Sequence, residues 1–496
     1  MQWGVGNQRF FLRITALISL VWLGTTHAQA CAFDLELAKI PACVDALHEQ
    51  LLDEPWIVDA RDAAIIVVGA EDYRFKSRAY FADAAALPDF RGEVVLIEGG
   101  HADFLELTAA IGRPDLIDCS RSFYCDVRAP IWVETGASLT IDGKGRELRL
   151  HRTAGVFFKI NGSVFIESTI IRAVEADGIT PAAYVADEVF RPFFSIYGSG
   201  DFKARRSALI DLGYASPNAQ GLSVSVGRNA QDRSADERPS LTLINSDVQG
   251  LFYGLYTHGA QPVHVIGNHF VRNIRYGIDP HDYSRDLVIA RNVVTGTAKD
   301  RPGPLNAAHG IITSVAVNRT LIFDNDVFGN KGSGIVIDKD GHDTLIYNNR
   351  AYGNANNGLV LYESRDVTVT GNLFSGNERN GAHIRNSPRI SFTSNRLENN
   401  QRYGLEAFTS PCGDPVNRQD AMTSIEITLA TNFQNRRGKC KFEHLGALSL
   451  AAEPPMLLTD FCGADPAKIM ADDTLAQRLA TLDGQKWQSG ILNQCP

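Results

Sequence analysis

Short runs that alternate apolar and polar residues fill the middle of the chain, as in Gly334-Ile335-Val336-Ile337 and Thr344-Leu345-Ile346-Tyr347, with polar turns between them. A period of two predicts half-buried strands, and no stretch there is long enough for a helix. A glycine that opens such a run recurs at Gly221, Gly254, Gly277, Gly310, Gly334, Gly358, Gly381 and Gly404, with spacings of 33, 23, 33, 24, 24, 23 and 23. Asparagine recurs in step at Asn245, Asn268, Asn292, Asn325, Asn349, Asn372 and Asn395. A strand-only repeat with a period in the low twenties predicts the coils of a parallel β-helix, an all-β solenoid; the regular Leu spacing of a leucine-rich repeat is missing. Equivalent residues of stacked coils lie about 4.8 Å apart. Each Asn is therefore expected to bond to the Asn above and below, with a left-handed backbone, and each Gly to mark a bend.

The pattern weakens toward both ends. Coils are expected from about residue 128, near Ile131-Trp132-Val133 and Ser138-Leu139-Thr140-Ile141, to about 410. Residues 31–127 read as a lead-in or cap, and 411–496 as a second, cysteine-containing cap with one helix-like stretch, Pro466 to Leu482. A solenoid needs such caps because an open sheet edge recruits other chains. Residues 1–30 read as a secretory signal peptide: Arg9 and Arg13 precede the apolar run Ile14 to Gly24, and Ala28-Gln29-Ala30 is a cleavage pattern. The run is too short to span a bilayer, and no later segment is long enough either. Cys31 after the cut brings lipidation to mind, but Ala28 stands where a lipoprotein has a larger aliphatic residue.

Export changes how charge and cysteine are read. Losing Arg9 and Arg13 with no acid takes the formal net charge from −9 to about −11, which argues against nucleic acid as a partner. Eight cysteines remain, Cys31, Cys43, Cys119 and Cys125 before the repeats and Cys412, Cys440, Cys462 and Cys495 after them. None has the CxxC spacing of a zinc site, so they predict disulfide staples at the two ends.

Candidate chemistry lies where the repeat departs from itself. The coil at Gly277 reads Tyr276-Gly277-Ile278-Asp279-Pro280-His281-Asp282, two carboxylates and an imidazole around a proline. In the glycine register His281 is level with Ser314, Asp338, Tyr362 and Arg385, a polar row expected to face solvent and form a groove for a linear polymer.

Together with Arg275, His309-Gly310-Ile311-Ile312, Gly334-Ile335-Val336-Ile337-Asp338, Leu361-Tyr362-Glu363-Ser364 and Arg385-Asn386-Ser387, this motif resembles the periplasmic mannuronan C5-epimerases of alginate-producing bacteria. The resemblance covers roughly residues 128–405, and Arg191-Pro192-Phe193 and Leu212-Gly213-Tyr214 also fit it. It implies a right-handed β-helix, conversion of β-D-mannuronate to α-L-guluronate within polymeric alginate, no cofactor or required metal, a periplasmic location and possible contact with an alginate export complex. It also implies that His281 removes the C5 proton. Asp279 or Asp282 would orient the imidazole, and Tyr276 would bind substrate, carry a proton or simply pack on Tyr253. Arg275, His309, Asp338, Lys339, Tyr362, Glu363 and Arg385 are the expected substrate-binding residues.

One position departs from the family pattern. Val315 stands where the family has an arginine that neutralises the substrate carboxylate. Lys339, one coil on in the same register, and Lys299 and Arg301, on an insertion at residues 298–307, are the candidate replacements. Two other classes fit the same residues: a catalytically weak protein that binds and guards the polymer during export, and a lyase that shares the C5 proton abstraction. A polyanion also needs a locally basic groove, for which Arg275, Lys339, Arg365, Arg385, Arg389 and Arg402 are the candidates.

Overall fold

The structure, a computed structural model, describes Cys31 and residues 34–408 apart from 57, 59–60, 73–78, 144–145, 300 and 302–307, and then the short strands Ile425–Thr428, Lys441–Glu443 and Leu448–Ser449. Among the described residues three sheets of 14, 13 and 12 strands run the length of the molecule, each strand pairing with its counterparts one coil before and one coil after. Nearly every pairing is parallel and in register, the arrangement of a β-helix. Inward side chains such as Ile278, Ile311, Ile335 and Leu359 stack into one continuous core.

The coils start earlier than the alternation suggests. Glu93–Glu98 pairs parallel with Ile131–Val133, and Gly100–Asp103 with Ala137–Asp142, so both belong to the stack. At the other end Ile390 pairs with Ile425, and Glu406 with Lys441, which carries two sheets past residue 411. Pro466 to Leu482 and the four late cysteines lie outside the described residues, as do residues 1–30. The early cysteines form Cys31–Cys43 and Cys119–Cys125. A disulfide and a lipid thioether need the same sulfur, so Cys31 in this form is not lipidated.

Three α-helices near the N-terminus were not expected from the sequence. Helix α1 (Ile40–Asp53) has Pro at its start and lays Ile40, Val44, Leu47 and Leu51 over Ile266, Val288 and Leu321 on the outside of the second sheet. Helix α2 (Ala79–Ala85) packs Tyr80, Phe81 and Ala84 against Trp132, Phe157 and Phe193 on the outside of the first. Helix α3 (Phe104–Ile111), capped by Asp103 and ended by the left-handed Gly112, pushes Phe104 and Leu107 into the end of the core.

Both ladders exist, with corrections. Asn268, Asn292, Asn325, Asn349, Asn372 and Asn395 are buried and joined Nδ2 to Oδ1 at 2.9–3.0 Å. Asn245 is not among them: Ser246 takes its place, donating its N–H to Asn268 Oδ1. The left-handed residue is the one before each Asn, as at Arg291, Asp324 and Asn348, because this bend turns the Asn side chain inward. A second ladder, Asn330-Asn354-Asn377-Asn400, runs at another corner. The glycine row serves close approach rather than bending. A Cβ at Gly334 or Gly358 would come within 2.7 Å of the next glycine's carbonyl oxygen, and neither has a positive φ. Gly221 falls one place out of the row, pairing with Tyr253 across a register shift.

Asn349 is fully buried, accepts from Asn325 and donates to Asn372 Oδ1 and Ile322 O. Replacing it with alanine orphans several buried groups, each worth about 1–3 kcal/mol. We expect Asn349→Ala to lose about 3 kcal/mol in urea unfolding; a loss below about 1 kcal/mol would show that the ladder does not hold the coils together.

Candidate active site

The strand Tyr276–His281 lies mid-way along the first sheet and presents Asp279 and His281 on its outer face. Strand pairing places His258, His281, Ser314, Asp338, Tyr362 and Arg385 in one row. The row is less exposed than its polarity suggests. Ser314 is buried and the other five are half-buried, so the row is the wall of a groove.

His281 Nδ1 lies 2.8 Å from Asp282 Oδ2. Asp282 has a left-handed backbone, φ 36°, and that turn folds its carboxylate back onto the ring beside it. Asp279 makes no such bond: it is 2 % exposed and its Oδ1 has no hydrogen-bond partner among the described residues. Burial pushes the Asp279 carboxyl up to about 7 and that of Asp338 up to about 6. For His281, burial works against the cation, but the Asp282 hydrogen bond and the charges of Asp279, Asp282 and Asp338 outweigh it, so its pKa lies above the ordinary imidazole value. Burial also works against the Asp282 carboxylate, and the His281 hydrogen bond and charge outweigh it, holding that pKa below the ordinary range.

The remaining candidates divide into packed and available groups. Tyr276 meets Tyr253 edge-on at 5.0 Å and stacks on His309 at 5.8 Å, with the Arg275 guanidinium 5.7 Å from its ring. His309 Nδ1 accepts from Ser333 N–H, and burial pushes its pKa down to about 4, so it is a neutral donor through Nε2. Arg385 is not an open cation: its guanidinium lies over Tyr362 at 3.3 Å and bonds Glu363 at 2.8 Å. Arg365 is held by Asp340, and Arg389 by Asp366. Arg301 pairs with Asp187, and Lys299 is exposed. Residues 302–307 of the insertion lie outside the described residues.

Lys339 has no ion-pair partner among the described residues, yet the Asp282 and Asp338 carboxylates both feel its charge. Val315 sits one coil below it in the same column, at φ +61°. That conformation is costly for a β-branched side chain. Tyr256 and His258, beside His281 one coil earlier, were not singled out from the sequence. The signal was present in the strand register, where Tyr256 pairs with Asp279 and His258 with His281.

These shifts give a pH prediction. A base acts in its neutral form, so turnover through His281 should rise with pH through a value above about 6.5. Asp282→Asn removes the hydrogen bond and the charge that raise that value. The acid limb of kcat/KM is therefore expected to move to lower pH, with a lower plateau; a limb that stays in place would exclude Asp282 as the partner that sets it.

A family described as the right-handed β-helix region matches residues 253–413. Mannuronan C5-epimerases of Pseudomonas putida and Pseudomonas aeruginosa are 33% and 37% identical to the chain over 281 residues, which is 56% of this chain and 52% and 50% of theirs. The crystal structure of the periplasmic alginate epimerase AlgG superposes with a TM-score of 0.71 at 26% identity, covering 81% of this chain and 95% of that one. In sequence and in fold, this chain is similar to the mannuronan C5-epimerases. It shares their right-handed parallel β-helix. The chain spans about half the length of the curated relatives it matches. No helix among the described residues is long and apolar enough to cross a membrane.

Proposed function

We propose that this protein is a mannuronan C5-epimerase, converting β-D-mannuronate to α-L-guluronate residues within polymannuronate. The observation that carries the reading is the His281–Asp282 pair at the centre of a groove wall, on a β-helix whose relatives are named for that reaction. C5 carries a proton alpha to a carboxylate. His281, with Nδ1 held by Asp282, takes that proton through Nε2. Charge then develops on the substrate carboxylate, and Lys339, which has no ion-pair partner among the described residues, neutralises it. Water in the open groove returns a proton to the opposite face, while Tyr276 is committed to packing between Tyr253 and His309. No bond to the C4 oxygen breaks, which separates this outcome from a lyase.

The leader segment and the early disulfide pairs support export, and the neighbour named periplasmic supports that compartment. An export complex for alginate is the partner that location suggests. Val315 favours a second reading, in which the protein holds and guards the polymer without turning it over. Proton NMR of polymannuronate incubated with the protein decides between them. Guluronate signals support the epimerase, unsaturated ends without guluronate support a lyase, and unchanged but bound polymer supports the guard.

A further inference from the structure

A cavity of about 450 Å³ adjoins His281 on its N-terminal side, within the size range of organic ligand sites. Tyr197, Asn218, Gln220, Arg228, Tyr256 and His258 line it. His258 pairs with His281 in register, and the Tyr256 ring is 5.8 Å from the imidazole, so the cavity continues the groove without a break. Tyr197, Ser225 and His258 are successive strand partners, which extends the cavity over three coils at about 4.8 Å each.

The chemistry of the lining is one-sided. Among the described residues no Asp or Glu lines the cavity, although the chain as a whole is acidic. It offers phenol faces, side-chain amides and a guanidinium, the groups that take a sugar ring, its hydroxyls and a carboxylate. Arg228 is exposed and has no ion-pair partner among the described residues. The loop that follows it is held in place. Arg238, 3 % exposed, binds four carbonyl oxygens: those of Ala230 and Arg233 on the same loop, Gly259, and Tyr283 next to Asp282. Ser234 and Glu237 cap the short turn between them. The far wall is α2, through Ala79 and Tyr80, which is fixed by Asp83 accepting from Tyr214 Oη at 2.6 Å.

We propose that this cavity is a binding subsite for the uronosyl residues adjoining the reacting one, with Arg228 pairing with a carboxylate and α2 limiting this arm to about three sugars. The proposal rests on the polyuronate reading above and adds a specificity residue to it. An interaction remote from C5 is made equally in the ground and transition states, so its loss appears in KM and not in kcat.

The test uses the full-length protein with mannuronate oligomers and with carboxyl-reduced, neutral oligomers of the same length. Titration calorimetry and steady-state kinetics on Arg228→Ala are expected to show affinity for the acidic oligomer falling about 10-fold, KM rising in step and kcat holding. Arg228→Lys should recover most of the loss, and the neutral oligomer should not distinguish wild type from Arg228→Ala. Unchanged affinity and KM in Arg228→Ala would overturn the subsite. A loss of affinity in Arg228→Ala from a protein that makes no guluronate would keep the subsite and remove the epimerase reading.

Discussion

His281→Ala is expected to lower the rate of guluronate formation by about 10²- to 10⁴-fold, the usual contribution of a positioned general base. The side chain is the only imidazole in the described groove whose Nδ1 is bonded to the carboxylate next to it in sequence. His258, one coil away, is pushed below its ordinary pKa chiefly by burial, and His309 spends its Nδ1 on the Ser333 amide. Neither is arranged to replace it. The measurement that isolates the role is exchange of the C5 proton in deuterated water, followed by NMR alongside turnover. Loss of exchange and of guluronate together, in a variant whose circular dichroism matches wild type, is the expected result. Continued exchange at C5 in His281→Ala would mean that another group takes the proton. Folding should survive, since the imidazole lies on the outer face and leaves the stacked interior untouched.

Lys339→Met is expected to cost about 10²- to 10³-fold in kcat, the typical loss when one electrostatic contact to a developing oxyanion is removed. The reasoning starts from Val315. Its column runs from Asp282 through Val315 to Lys339, so the cation stands one coil beyond the place where the family has its arginine. About 4.8 Å separates coils, and a lysine side chain reaches that far. Of the other basic groups near this part of the wall, Arg385 is bound by Glu363, Arg365 by Asp340 and Arg301 by Asp187, while Arg275 lies against the rings of Tyr253 and Tyr276. Restoring the arginine gives the complementary experiment. Val315→Arg in the Lys339→Met background should recover at least about tenfold of the lost rate, and removing the β-branched residue from φ +61° should not cost stability. If Lys339→Met turns over at the wild-type rate, the charge is neutralised elsewhere and Arg275 becomes the group to test.

Much of the fold was legible because a solenoid writes its period into the chain. A coil that stacks on identical coils must repeat its inward apolar residues, its corner Asn and its close-approach Gly at fixed intervals, and the spacings of 23 and 24 are that requirement seen in sequence. The same register places His281, Ser314, Asp338, Tyr362 and Arg385 in a row, since a fixed period converts sequence offset directly into position. The helices were harder to see. Ile40, Val44, Leu47 and Leu51 have helical spacing, but α2 is a single short segment whose role depends on the aromatic patch of Trp132, Phe157 and Phe193 beneath it.

Sequence alone therefore determined the architecture, the family resemblance and the row of polar residues, because each is a matter of period or local motif. The tertiary structure decided what those residues are free to do. It assigned Asp282 and not Asp279 to the imidazole, through one left-handed turn, and left Asp279 buried with no partner for Oδ1 among the described residues. It took Arg385 out of the set of available cations by giving it Glu363, and it left Lys339 without an ion-pair partner among the described residues. It also brought α2 and the Arg238-clamped loop to the N-terminal side of the groove. These are pairings between segments far apart in the chain, and charge, burial and reach act through space, so no repeat in the sequence records them.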